Sequence, residues 1–269
     1  DCINLTEVNI NDGLEVIEIF AFHGCRALKQ VTLPSSATKL GRHAFQYCIN
    51  LTGVHFDDGL QIIEAGAFYE CKALQDLTLP SSVTKLGRRA FQGCSNLTEV
   101  NLNDGLELIG DGAFHGCRAL KQVTIPASVT ELKLGRRAFQ GCSNLGSYSF
   151  RDCINLTEVN INDGLEVIEI FAFYGCRALK QVTLPSSVTK VDSYAFSDCF
   201  NLTEVNLNDG LELIGDGAFR CCKMLQEVTI PASVTTLDIY AFQHCSNLVE
   251  VHFDDGLQII EAGAIPGLH

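Results

Sequence analysis

Apolar and polar positions alternate along this chain in short bursts that recur at a fixed distance. In Leu5-Thr6-Glu7-Val8-Asn9-Ile10 the period of two points Val8 and Ile10 inward and Glu7 and Asn9 outward, as on a half-buried strand. Asp12-Gly13, or Pro34-Ser35 in the next burst, then stops the strand. Gly accepts positive φ and Pro lacks a donor, so both suit a turn. A second apolar stretch, Leu14-x-x-Ile17, opens a return segment, and the spacing of Ala21-Phe22 and Cys25 puts them on one face of a short helical turn. The Phe of this pattern returns every 23 residues at Phe22, Phe45, Phe68, Phe91 and Phe114 and, after an interruption, at Phe173, Phe196, Phe219 and Phe242. A Cys follows each by three: Cys25, Cys48, Cys71, Cys94, Cys117, Cys176, Cys199, Cys222 and Cys245.

Two unit types alternate, one like Asn4–Glu18 (NLTEVNINDGLEVIE) and one like Ala27–Gly41 (ALKQVTLPSSATKLG), so the full period is 46. Residues 1–39 recur at 152–190 with two changes, which implies recent duplication or consensus construction. A single coil of this size buries too little by itself; stacking covers its two flat sides, and the strands then line up in one parallel sheet. The expected fold is a repeat solenoid, a right-handed superhelix with a parallel β-sheet on one face and short helical turns or loops on the other. The copies are offset by 151 residues, which is six repeats plus thirteen. Two extra residues fall in Glu131-Leu132-Lys133-Leu134 and eleven in the stub that follows Leu145 and ends at Leu156. The stub is too short for a full circuit, so a bulge, a half-coil and a locally disturbed sheet are expected over 131–152. They would separate a first block, 1–144, from a second, 157–269, with 145–156 as the junction. The chain opens and closes inside a repeat, so further coils or a targeting segment are expected beyond it.

The pattern L-x-x-V-x-L-P-x-S-V-T-x-L-x-x-x-A-F-x-x-C-x-N, carried clearly by Val83, Leu86, Ala90, Phe91, Cys94 and Leu97, resembles the BspA-like class of leucine-rich repeats over essentially the whole chain. The resemblance implies a leucine-rich-repeat fold. It also implies, more loosely, a place on a cell surface and a role in adhesion or in binding host proteins. It carries over no catalytic residue.

Composition narrows the function. The net charge of -13 argues against nucleic acid, whose phosphates need clustered Lys and Arg, and against docking on anionic lipid. No apolar run reaches the ~18 residues of a membrane span. A basic protein fits the charge better. The thirteen cysteines lack the C-x2-C pairs or clustered His of a zinc site. Disulfides are disfavoured too, since equivalent Cβ atoms in a stack point in parallel. A ladder of buried free thiols acting as small hydrophobes is the preferred reading, and it points to a reducing compartment or to shielded thiols. Asp-Gly turns such as Asp12 and Asp58 would stack into a carboxylate row. Calcium needs six or more oxygens, however, and the intervening coils put Ser35, Ser81 and Ala127 there. Asn-Leu-Thr at Asn4, Asn50, Asn96, Asn155 and Asn201 matches the glycosylation sequon, but each Asn sits at a bend where it is expected to satisfy backbone groups. The seven His are scattered and no nucleophile-base pattern accompanies them, so neither enzyme activity nor any cofactor or metal is expected.

The outward strand positions remain as the candidate partner-binding face: Glu7, Asn9, Asn11, His55, Asp57, Glu99, Asn101, Asn103, Glu158, Asn160, Asn162, Glu204, Asn206, Asn208, Glu250 and His252. This face is polar and acidic and lacks the aromatic and Arg anchors that dominate tight interfaces. Two functions are weighed: a non-enzymatic protein-binding or adhesion module that uses this face for a basic partner, and a structural or scaffold subunit of a larger assembly that uses its coil ends or convex side. Localisation stays open between a cell surface, from the resemblance, and a reducing compartment, from the thiols.

Overall fold

Each repeat builds one coil, and the coil beginning at Gln30 shows how. Gln30–Leu33 forms the first strand with strict in-out alternation, Val31 and Leu33 buried and Gln30 and Thr32 exposed. Pro34-Ser35-Ser36 turns the chain, closed by Ala37 N–H donating to Pro34 O, and Lys39–Leu40 makes a two-residue return strand. The remainder is a run of tight turns closed between residues three apart, Ala44 to Gly41, Cys48 to Phe45 and Leu51 to Cys48. The computed structural model describes residues 2–126, 128, 129 and 148–267 of the chain.

Strands with equivalent places in the repeat pair in parallel and without register shift, as in Gln30↔Gly53 through Leu33↔Phe56. The return strands form a second, narrow parallel ladder, which the sequence pattern does not announce. It runs continuously through Val16–Ile17, Lys39–Leu40, Ile62–Ile63, Lys85–Leu86 and Leu108–Ile109, and again from Val167–Ile168 to Ile259–Ile260. The expected helical turn around Ala-Phe is a series of non-helical turns, and the described residues contain no helix. In the coil at Gln30 the residue before Ala44 and the residue two after Phe45 have positive φ, His43 at 55° and Tyr47 at 61°. A left-handed residue every four places stops helix propagation.

The core is one unbroken column between the two ladders and the turns. Nine Phe side chains, from Phe45 to Phe242, are fully buried. Each lies flat on the next, with centroids 5.1–5.5 Å apart and planes within 7°. Beside them runs the thiol ladder. Each Sγ from Cys48 to Cys245 donates to the carbonyl of the Phe one coil earlier, at 3.1–3.4 Å. Cys fits here because it is small and apolar, yet brings a weak second donor to a carbonyl that already accepts the backbone N–H of the Cys in its own coil, as Phe45 O does from Cys48.

Side-chain bonds across the coil interfaces explain the 46-residue period. Ser36 Oγ accepts from Gly13 N–H and donates to Leu14 O, tying a Pro-Ser-Ser turn to the Asp-Gly turn below it. Ser82 does the same for Gly59 and Leu60, and Ser187 for Gly164 and Leu165. At the other interface Asn103 Nδ2 donates to both Pro80 O and Val83 O. Each unit type thus supplies what the other lacks.

At the interruption the strand Gln122–Ile125 pairs with Glu158–Ile161 over all four residues, so among the described residues the expected disturbance does not reach the first-strand sheet. The return-strand ladder, by contrast, stops at Leu108–Ile109 and resumes at Val167–Ile168. The half-coil reading also needs correction. Phe150 stacks on Phe114 at 5.3 Å and Cys153 donates to Phe114 O, so residues 148–153 close the coil that Gln122–Ile125 opens. Phe and Cys are recruited by position in the column, whatever the length of chain between them. The surplus residues lie between 129 and 148, and the expected bulge at 131–134 falls outside the described residues.

Candidate functional site

The outward positions of the first strands make an extended polar face. Glu7, Asn9, Asn11, His55, Glu99, Asn101, Glu158, Asn160, Asn162, Glu204, Asn206, Glu250 and His252 are exposed, and Asp57 is half-buried. Within a strand, residues two apart share this face and bond to one another. Asn101, Asn160 and Asn206 donate to Glu99, Glu158 and Glu204 at 3.3, 3.1 and 2.8 Å. His55 lies 3.2 Å from Asp57, and His252 lies 3.4 Å from Glu250. These short bonds hold the carboxylates in place on a rigid strand.

Asn103 and Asn208 do not belong on this face. Each donates two hydrogen bonds to the turn of the preceding coil and accepts a third from Gly105 or Gly210 N–H, so the amide has little capacity left for a partner. Their role is to lock coil interfaces, and the recurrent Asn-Asp-Gly motif is the signal for it. Asn50 and Asn155, read as sequons or bend residues, donate to Arg26 O and Arg118 O. The carboxylate row at the Asp-Gly turns is interrupted as expected, with Ser186 donating to Asp163.

A cleft of about 460 Å³ opens on the strand face toward the second end, lined by Glu204, Asp209, Glu227, Thr229, His252 and Asp254, among others. No Lys or Arg is among its lining residues. Glu227, Glu250 and His252 each bring a ligand-type atom within 4.8 Å of the others, all of them exposed. A second cleft, about 440 Å³, spans Glu7, Asn9, Lys29, Gln30 and Thr32 and has a mixed lining.

The ladder thiols lie on the far side of the core. All nine expected members are buried and unpaired, and Cys153, which the 23-residue count omits, joins them. Burial pushes every ladder thiol from Cys25 to Cys222 upward, Cys48 to about 12, because a thiolate there would lose its hydration. Such thiols are poor nucleophiles near neutral pH.

Stacked coils of about 23 residues, each with an outward-facing parallel strand and a buried Leu, Phe and Cys column, define a leucine-rich repeat solenoid. The chain belongs to the BspA-type leucine-rich repeat family, whose repeat pattern matches in six copies over residues 1–71, 17–146 and 143–267. It is similar to the leucine-rich repeat protein of T. pallidum, at 33% identity over 63% of this chain and 74% of that one, with a TM-score of 0.54. The pneumococcal vaccine antigen PcpA is 25% identical over 93% of this chain and 62% of its own, with a TM-score of 0.56. A leucine-rich cell surface protein of Faecalibacterium prausnitzii shares the fold, at 24% identity over 90% of this chain and 79% of that one and a TM-score of 0.50. Among curated proteins no sequence matches the chain. No helix among the described residues is long and apolar enough to cross a membrane.

Proposed function

We propose that this chain is a non-catalytic protein-binding module, displayed on a cell surface, that takes a basic segment of its partner into the acidic cleft of its strand face. The observation that carries this reading is the cleft lined by Glu204, Asp209, Glu227 and Asp254. Its carboxylates come from three successive coils and from strands and turns that the ladder holds rigid, so little ordering accompanies binding. Membership of a repeat family whose similar structures include a cell surface protein and a vaccine antigen supports the location. Free thiols are compatible with it, since protonated, buried sulfur resists oxidation. A scaffold role is the second reading. It would use the convex, turn side of the solenoid, where all eight described arginines and all six tyrosines lie.

Peptide display against the whole protein tests the first reading. Selected sequences should be rich in Lys and Arg. Their binding should weaken by about tenfold in Glu204→Gln/Glu227→Gln, and again when salt is raised from ~0.05 to ~0.5 M. Selections without basic residues, or binding indifferent to the two substitutions, would refute the cleft. Cross-links from a captured partner to the turn side would favour the scaffold reading.

A further inference from the structure

The turn side of the solenoid carries the residue types that the strand face lacks. All eight described arginines and all six tyrosines fall between two residues before the Ala-Phe pair and one residue after the ladder Cys. With Lys72 and Lys223, these segments hold ten cations against five carboxylates, in a chain of net charge -13. Tyr and Arg are the residues that most often anchor interfaces.

Among these cations one column is periodic. The residue after the ladder Cys is Arg26, Lys72, Arg118, Arg177 and Lys223 on every second coil, and all five are exposed. Counting along the chain hides this, because 59 residues separate Arg118 from Arg177 and 46 separate the others. Recruitment of Cys153 next to Cys117 restores the step, leaving one coil between Arg118 and Arg177. The Phe rings advance 5.0–5.5 Å per coil, so the cations recur every ~10–11 Å. Several are held in place. Arg177 and Lys223 both stack on Phe200, at 5.3 and 4.7 Å from its centroid, while Lys72 pairs with Glu70 at 3.3 Å. Between Lys72 and Arg118, Gly93 and Gly116 present no side chain, and a trough of about 360 Å³ opens there. On the intervening coils the column is filled by Ile49, Ser95, Ile154 and Phe200, apolar in three of the four.

We propose that this column docks an acidic amphipathic α-helix of a partner protein, with one carboxylate every seven residues and an apolar residue between. Seven helical residues rise ~10.5 Å, in step with the cations along the axis over all four intervals. They return to within ~20° of one face at each, a drift of ~80° over the whole column that a gentle left-handed wrap of the helix takes up. An extended strand repeats on one face every ~6.6–6.8 Å and a polyproline II helix every ~9.3 Å, so the first misses alternate cations and the second falls ~5 Å behind by the last one. The surface is independent of the acidic cleft and takes a ligand of opposite charge.

Fluorescence anisotropy with the whole protein tests the docking. One labelled Ala-rich peptide of about 28 residues carries Glu every seventh residue and Leu between; a second has the same composition with Glu every fifth. The first should bind at least about tenfold more tightly. Arg26→Glu/Arg118→Glu/Arg177→Glu should lose that binding by tenfold or more, with circular dichroism unchanged because all three side chains are exposed. Glu204→Gln/Glu227→Gln should leave it intact. Equal binding of both peptides, or binding of neither, would overturn the proposal. Tight binding of heparin or an RNA oligonucleotide, lost in the triple variant, would also overturn it if neither peptide bound.

Discussion

Phe91 lies flat between Phe68 and Phe114, at 5.2 and 5.5 Å, and has no exposed surface. Its neighbours are fixed by the same column, so they cannot collapse into a void left on truncation. Phe91→Ala should therefore cost about 3–5 kcal/mol, the upper range for a buried ring, measurable as a lower urea midpoint with an unchanged slope. A loss under about 1 kcal/mol would mean that the column repacks. The thiols make a second prediction at this scale. Cys2 is exposed and Cys221 half-exposed, whereas the ladder thiols are buried. Without reductant, a thiol reagent should count Cys2, Cys221 and few if any of the ladder thiols in the native protein, and nearly all thirteen groups after unfolding. Few thiols in both states would show that disulfides had formed.

At the scale of the element, the interruption is a tandem copy. Residues 135–145, GRRAFQGCSNL, and 146–156, GSYSFRDCINL, share Gly, Phe, Cys, Asn and Leu at equivalent places, eleven apart. Phe150 and Cys153, from the second copy, sit in the columns. Deleting 135–145 should therefore preserve the fold. Shortening a connection changes closure entropy by only about 0.6 kcal/mol per halving, so the melting temperature should stay level or rise slightly. A deletion variant that fails to fold would place 135–145 in the core. We further propose, in keeping with the division into blocks 1–144 and 157–269, that the first proteolytic cut falls at this surplus.

For the whole molecule, burial of one thiol in each coil has a collective consequence. Each ladder thiol with a raised pKa favours the protonated form in the native state. The stabilisation is complete below the ordinary thiol pKa of about 8.5–9 and is lost as pH rises through the folded value, about 12 for Cys48 and higher for fully buried members. The unfolded chain then holds fewer protons than the native one, so unfolding becomes easier. Each thiol adds up to about 1.4 kcal/mol per pH unit between about pH 9 and 12. The urea midpoint, flat from pH 7 to 8, should fall steeply by pH 10.5. A flat profile to pH 11 would show that the thiols ionise without leaving the fold.

The repeat, the inward Val and Leu, the buried Phe and Cys and the acidic outward face were all legible in the sequence. Each depends on local periodicity, and a solenoid contacts chiefly its nearest neighbours, so local pattern and global structure coincide. What depended on registering one coil against the next was not legible. The narrow ladder of two-residue return strands is too short to leave a pattern of its own. Asn103 looks outward by parity, yet it bonds the turn below through contacts 20 and 23 residues away. Nor does counting by 23 show that Cys153 joins the ladder, or that Arg118 and Arg177 stand two coils apart, because position in a stacked column is set by what fills the space beside the previous Phe and Cys. Tertiary packing absorbs the surplus residues and restores the period on the turn side.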